Sequence, residues 1–431
     1  MSTSKFGLES EDRILQEMMA AGPKGSFRFL TILFALLLII GAGAFLLGIS
    51  GPQSLRAWQA YLVNFVFWAG LSFGAVLFVA VLNLTHARWA RAMKRLAESL
   101  GAFLPFSFLL FWVLYLGRGE IFPWIRQPVE GKEVWLSSNF LFARDGLGLL
   151  LLTGVAMVLL YYSIRGDQAA RPQERSVAGR TGSETAERAG RNWHLQAVLS
   201  PIFGILYAFV LTLLAFDLIM SLDPHWSSTL FGAYYFIGSF YTALAALLIL
   251  AGLARAFLGL ERFIQPRHFH DLGKLLLAFC LITGDFFYSQ FLVIWYGNLP
   301  EETRYVLLRV RHSPWEPLAW TVLVACFALP FVVLLSRKIK LKPVAMMVLA
   351  GIILVGMWLE RFLLVAPSLW KGGEFPLGLL EVFITTGFLG VVGLSVLVFL
   401  RRYPLLPLSD PLFLAELKEA GAEAEMGNSG V

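Results

Sequence analysis

The chain has 431 residues, of which 58% are hydrophobic and only 15% charged. Soluble domains carry about 25% charged residues, so this shortfall, with 37 Phe and 13 Trp, points to lipid rather than water as the solvent. The formal net charge of +6 invites a nucleic-acid reading, but the basic residues fall in short polar segments between apolar runs, where membrane topology accounts for them.

A helix needs about 20 apolar residues to cross the hydrocarbon core. Runs of that kind lie at 27–48, 58–83, 97–117, 143–164, 197–221, 229–257, 272–296, 316–336, 343–365 and 376–400. They are continuous and lack the period-two alternation of barrel strands. The predicted fold class is therefore all-α: a polytopic membrane protein of about ten transmembrane helices. Residues 1–26 are polar and mixed in charge, and read as a cytoplasmic N-terminal segment without a cleavable signal peptide. Arg88, Arg91, Lys94 and Arg95 follow the second run, and the polar, Arg-rich loop 165–192 follows the fourth and is expected to be mobile. Arg255, Arg262, Arg267, Lys274, Arg337, Lys338, Lys340, Lys342, Arg401 and Arg402 complete one strongly basic side. The positive-inside rule places that side, and both termini, in the cytoplasm.

An internal repeat is visible in two acids that precede a proline by the same interval, Asp217 before Pro224 and Glu360 before Pro367, each followed by a tryptophan, Trp226 and Trp370. This spacing predicts two parallel-repeat four-helix bundles, 58–221 and 222–365. Peripheral helices at 27–57 and 366–402 flank them, and 403–431 forms a cytoplasmic tail.

All six histidines (His86, His194, His225, His268, His270 and His312) fall in loops or at helix ends, so haem held between helix histidines is not expected. Cys280 and Cys326 form no CxxC pair, and no metal site is predicted. The informative residues are acids inside apolar runs, Asp217, Asp285, Glu360 and Glu381, where a charge costs at least about 2.5–3.5 kcal/mol. With Arg361 beside Glu360, they are candidates for a proton pathway, and Asp285, deepest of the four, is expected to face the bundle interior. The alternative is that they snorkel to water or pair structurally.

In SLDPHWSS (221–228), Asp223 and His225 flank a proline. With Tyr234 and Tyr235 they form a candidate outer-face quinone site that passes quinol protons to water. A capped turn with an aromatic anchor is the other reading. In RHFHDLGK (267–274), His268, His270, Asp271 and Lys274 are candidates for cytoplasmic proton uptake or lipid-headgroup contact, against a solvated helix cap. The aromatics Phe286, Phe287, Tyr288, Trp295, Tyr296 and Phe236 suit either a slot for a flat ring or an interfacial belt.

The stretches FWAGLSFGAVLFVAVLNLTHARW, SLDPHWSSTLFGAYYFIGSFYTALA, HDLGKLLLAF and YSQFLVIWYGNLPEET carry a resemblance. Over residues 27–400 the chain resembles the ActF subunits of bacterial alternative complex III, within the broader NrfD/PsrC-like membrane subunits. The resemblance implies two four-helix bundles with two peripheral helices, in the bacterial cytoplasmic (inner) membrane. It implies part of a quinol:cytochrome c, or quinol:oxidase, oxidoreductase that is not catalytic alone. Its implied partners are a paralogous ActC-like membrane subunit, periplasmic multihaem cytochrome c subunits, an iron–sulfur subunit, small membrane subunits, a terminal oxidase and lipids. Haem and iron–sulfur clusters would reside in those partners, while quinone or quinol is the ligand this chain itself could meet. ActC-like sequences carry a histidine in a G-H-A-G segment of the second helix; here the stretch is GLSFGAV, with Phe73 at that place. That departure favours proton conduction or scaffolding over quinol oxidation by this chain. An NrfD-type quinol-oxidising anchor for an iron–sulfur subunit and a secondary transporter are the alternatives. Transporters often show matched helix breaks in both halves, and no matched pair is seen here.

Overall fold

The computed structural model describes residues 27–170, 182–370, 372, 375–417 and 419. The N-terminal segment 1–26 and the end of the tail lie outside the described residues. The chain is an all-α, multi-pass membrane protein, with no strand among the described residues and 10 helices long and apolar enough to cross a membrane. These are α1 (Arg28–Ile49), α2 (Ser54–Leu84), α3 (Arg91–Leu116), α4 (Ser138–Asp167), α5 (Gly190–Leu222), α6 (Phe231–Phe257), α7 (Pro266–Gly297), α8 (Trp315–Leu335), α9 (Pro343–Leu369) and α10 (Leu379–Arg402).

Two boundaries differ from expectation. The third span begins at Arg91 rather than 97, because Arg91, Lys94 and Arg95 are buried among carboxylates instead of standing in water. Much of the loop expected at 165–192 is helix: α4 continues through Ala170 and the helix containing α5 starts at Gly182, with 171–181 outside the described residues.

Helices α2 and α6 form the centre, with 83% and 72% of their apolar windows buried, against 11% for α1 and 17% each for α7 and α8. In lipid the hydrophobic effect does not drive helices together, so close packing through small residues does. Gly70 and Gly74 of α2 lie against Ser239 and Ala243 of α6, and a methyl group on Gly74 would stand 2.8 Å from the Ser239 carbonyl. Helices α1 and α10 pair in the same way, Gly387 against Gly41. Helices α3 and α5 pack against α2, α4 packs on α5 and α3, and α7, α8 and α9 pack around α6 or one another.

Two prolines free backbone carbonyls that other helices then satisfy. Pro330 has no N–H for the Cys326 carbonyl, and α8 opens there into a π-helical segment, Val324–Ala328. The Tyr241 hydroxyl of α6 donates to that carbonyl at 3.1 Å, and Gly356 of α9 makes room for the bulge. Pro367 likewise frees the Leu363 carbonyl of α9. Arg309, on the short helix Pro300–Val310, donates to Leu363 at 3.1 Å, Leu364 at 2.9 Å and the Ser368 hydroxyl at 2.8 Å. Its guanidinium lies 3.4 Å over Tyr305, whose ring stacks on Trp226 at 3.7 Å. The sequence motif's tryptophan thus belongs to a lid that closes the end of α9.

Candidate functional site

Four clusters of buried charge organise the interior. At the end of the first bundle away from the basic loops, α4 places Arg144 and Asp145 in succession opposite Asp217 of α5. Arg144 grips Asp217 through two bonds, of 2.6 and 2.5 Å. Trp135 donates its indole N–H to the same carboxylate at 3.1 Å and lies 3.7 Å beneath the guanidinium. Asp145 is 1% exposed and faces Asp217, yet neither of its oxygens meets a hydrogen-bond donor. Two buried carboxyl groups therefore stand beside one guanidinium, which bonds Asp217 and leaves Asp145 without a donor. Arg144 and Asp145 did not stand out in the sequence, where they sit at the edge of the fourth apolar run; two successive charges at such an edge were the available signal.

The second cluster lies between α6 and α9. Arg361 donates to Glu360 Oε1 at 3.2 Å and lies 2.9 Å from Oε2. It also reaches the Tyr235 carbonyl at 3.3 Å and stands 4.5 Å from the Tyr235 ring. Gly238 and Ser239 supply the space for the guanidinium. The Tyr234 phenol faces Glu360. Glu360, Arg361, Tyr234 and Tyr235 are all buried. The two tyrosines expected beside Asp223 and His225 therefore look inward, onto the ion pair. Asp223 is half-buried and His225 exposed, in a turn closed by the Trp226 N–H donating to the Asp223 carbonyl at 3.0 Å and by Lys132 donating to the Pro224 carbonyl at 2.6 Å.

Glu381 is fully engaged. Arg56 bonds both its oxygens, at 2.9 and 2.8 Å, and the Gly378 N–H donates to it at 2.7 Å, so it caps the start of α10. Asp285 departs from expectation: it lies on the exposed face of α7, not in the bundle interior, because depth in an apolar run gives no facing. In the RHFHDLGK segment, the Gln265 N–H donates to His268 Nδ1 at 2.8 Å, Lys274 pairs with Asp271 at 2.7 Å, and His270 stands 3.4 Å from Asp271. These are the contacts of a capped helix start.

The fourth cluster, at the basic end, was read from the sequence only as topology. Arg91 and Lys94 each bond Asp410 at 3.0 Å, and Arg95 bonds Glu98 and Asp167. All six side chains are buried.

A cavity of about 400 Å³ opens between α5, the turn after it and α7, lined by Phe216, Met220, Ser228, Leu230, Gln290 and Val293. Ser227, Thr229, Ser289 and Glu302 add polar groups to its wall, and the Ser228 hydroxyl donates to Gln290 at 3.2 Å. Tyr288, Trp295 and Tyr296 of the expected aromatic slot are exposed on the outside of α7 rather than lining one slot with Tyr234 and Tyr235. Among the described residues, no group of three or more His, Cys, Asp and Glu side chains comes together to hold a metal ion. Compared with protein-family models and with curated proteins, the chain matches none.

Proposed function

We propose that this chain is a membrane subunit, without redox centres of its own, of a quinol-oxidising respiratory complex, and that it contributes a proton pathway through its two bundles. The observation that carries the proton reading is the Asp145–Asp217 pair, two buried carboxyl groups against a single guanidinium. A proton arriving at this pair neutralises the excess charge. A proton leaving it must be compensated by Arg144, whose half-open position beside Trp135 provides the route to the surface. Glu360, Arg361 and the Tyr234 phenol form the corresponding station in the second bundle, where the tyrosine hydroxyl can relay a proton to the carboxylate.

The complex itself is inferred from the resemblance of the SLDPHW and WYGNLPEET stretches to ActF-type subunits. On that reading the chain sits in the bacterial cytoplasmic membrane with both termini inside. Its ActC-like, multihaem cytochrome c and iron–sulfur partners hold the electron carriers. The cavity beside Ser228 and Gln290 is of the size of small-molecule sites, which run from about 300 to 1,000 Å³, and its mixed wall, apolar at Phe216, Met220 and Leu230 and polar at Ser228 and Gln290, suits a quinone's ring and carbonyls.

One observation favours a second reading, a secondary transporter. Helix α8 is broken at mid-span by the Val324–Ala328 π segment, as transporter helices often are. Its counterpart in the repeat, α4, runs unbroken, which leaves the break without its pair. Purification of the chain in mild detergent, with mass spectrometry and a haem spectrum of the particle, separates the two. Copurifying multihaem and iron–sulfur subunits are expected. A homogeneous colourless particle of this chain alone overturns the proposal in favour of transport.

A further inference from the structure

Asp285 has no described hydrogen bond or ion pair, and it is exposed on α7. It lies midway between Lys274 and Trp295, which mark the two ends of the span. At 1.5 Å per residue it is about 15 Å from each, the middle of a core about 30 Å thick. The residues around it on that face, Leu281, Ile282, Tyr288 and Phe291, are exposed as well. An aspartate side chain is too short to reach either headgroup layer from there, unlike the long stems of lysine or arginine. Lipid tails offer it no donor. The contrast within the molecule is α1, whose outer face of Phe29, Ile32, Leu36, Ile39 and Leu47 is wholly apolar and suits lipid.

From this juxtaposition we infer that the α7 face around Asp285 is an interface, and that its occupant is a transmembrane helix of another subunit presenting a lysine or arginine at mid-membrane depth. A second copy of this chain does not fit. The exposed residues on the part of α8 that packs against α7, among them Val324 and Val332, are apolar, so two such faces brought together would oppose carboxylate to carboxylate or to hydrocarbon. Charge complementarity selects a basic partner, and buried intramembrane charges are found paired in this way. The inference rests on this face alone and holds whichever complex the partner belongs to.

The test is photo-crosslinking of the full chain in its native membrane, with benzoylphenylalanine in place of Leu281 and, separately, of Ile32 on α1. The expected result is an adduct from the Leu281 position to a transmembrane segment with Lys or Arg in its central third, and lipid adducts alone from the Ile32 position. Asp285→Leu added to the Leu281 probe should lower the protein adduct at least tenfold. Its thermal unfolding should match that of the parent, because no internal contact is lost. Asp285→Asn keeps the shape, removes the charge and gives the same loss should the leucine variant fail to accumulate. Lipid adducts only, an adduct to a second copy, a captured segment without a basic residue at that depth, or an adduct indifferent to both substitutions would each overturn the inference.

Discussion

The two ends of helices α3, α4 and α5 bury charge in opposite ways. At the basic end, Arg91, Lys94 and Arg95 meet Glu98, Asp167 and Asp410, cation for carboxylate. Ser163 donates to Glu98 at 2.6 Å, and the Lys94 ammonium also bonds Gln196 at 3.0 Å. Asp410 uses its second oxygen to cap the helical turn after it, accepting from the N–H groups of Leu412 at 3.1 Å and Phe413 at 3.3 Å. At the other end, Arg144 is the single cation beside Asp145 and Asp217; it bonds Asp217, and Asp145 lacks a donor altogether. The carboxylates are buried in both places, so their burial does not separate the two sites. Charge balance does: one network is neutral and fully bonded, while the other is one charge in excess, the feature on which the proposed proton exchange rests.

The largest effect expected is at the balanced end. Arg95→Leu strands Glu98 and Asp167 in the interior, and breaking a buried pair in this way costs about 3–5 kcal/mol. Thermal unfolding in detergent should show a large loss of stability or failure of the variant to accumulate. Arg309→Leu removes three bonds at the Pro367 break and the cover over Tyr305. It should cost about 2–3 kcal/mol and increase proteolysis near the end of α9.

Next is a pH effect. Burial alone would raise the Asp410 carboxyl, but Lys94 and Arg91 outweigh it and hold the group below its ordinary range. A carboxyl depressed in the folded state contributes stability that is complete above its unfolded value, about 3.9, and is lost as the pH falls through the lower folded value. Docking of residues 403–417, read by limited proteolysis, should therefore be constant from neutral pH down to about 5 and loosen only in stronger acid. Loosening near neutrality would break the comparison from this side. The smallest stability change belongs to Asp145→Asn, within about 1 kcal/mol, because it removes the excess charge and keeps the shape. That variant should nonetheless lose the infrared C=O band of a protonated carboxyl.

The ten spans were legible because each is a long uninterrupted apolar run. The start of α3 was not, because apart from the local Arg95–Glu98 pair the neutralising carboxylates, Asp167 and Asp410, come from distant segments. Asp217 and Glu360 were found as acids out of place in hydrocarbon. Glu381 was found by the same rule, but its capping bond to Arg56 joins opposite ends of the chain and could not be read. Tyr234 and Tyr235 were read as partners of Asp223 and His225, whereas they lie against Glu360 and Arg361. Their neighbours were misassigned, because proximity in sequence to SLDPHW says nothing of the α6 face they share with α9.

The most direct test is proton movement by proteoliposomes holding the purified complex with Asp145→Asn, driven by quinol oxidation. The account predicts that quinol oxidation continues while proton translocation through this subunit is lost. Translocation at the parental proton-to-electron ratio would contradict it, and the Asp145–Asp217 pair would then be a structural contact like the network at the basic end.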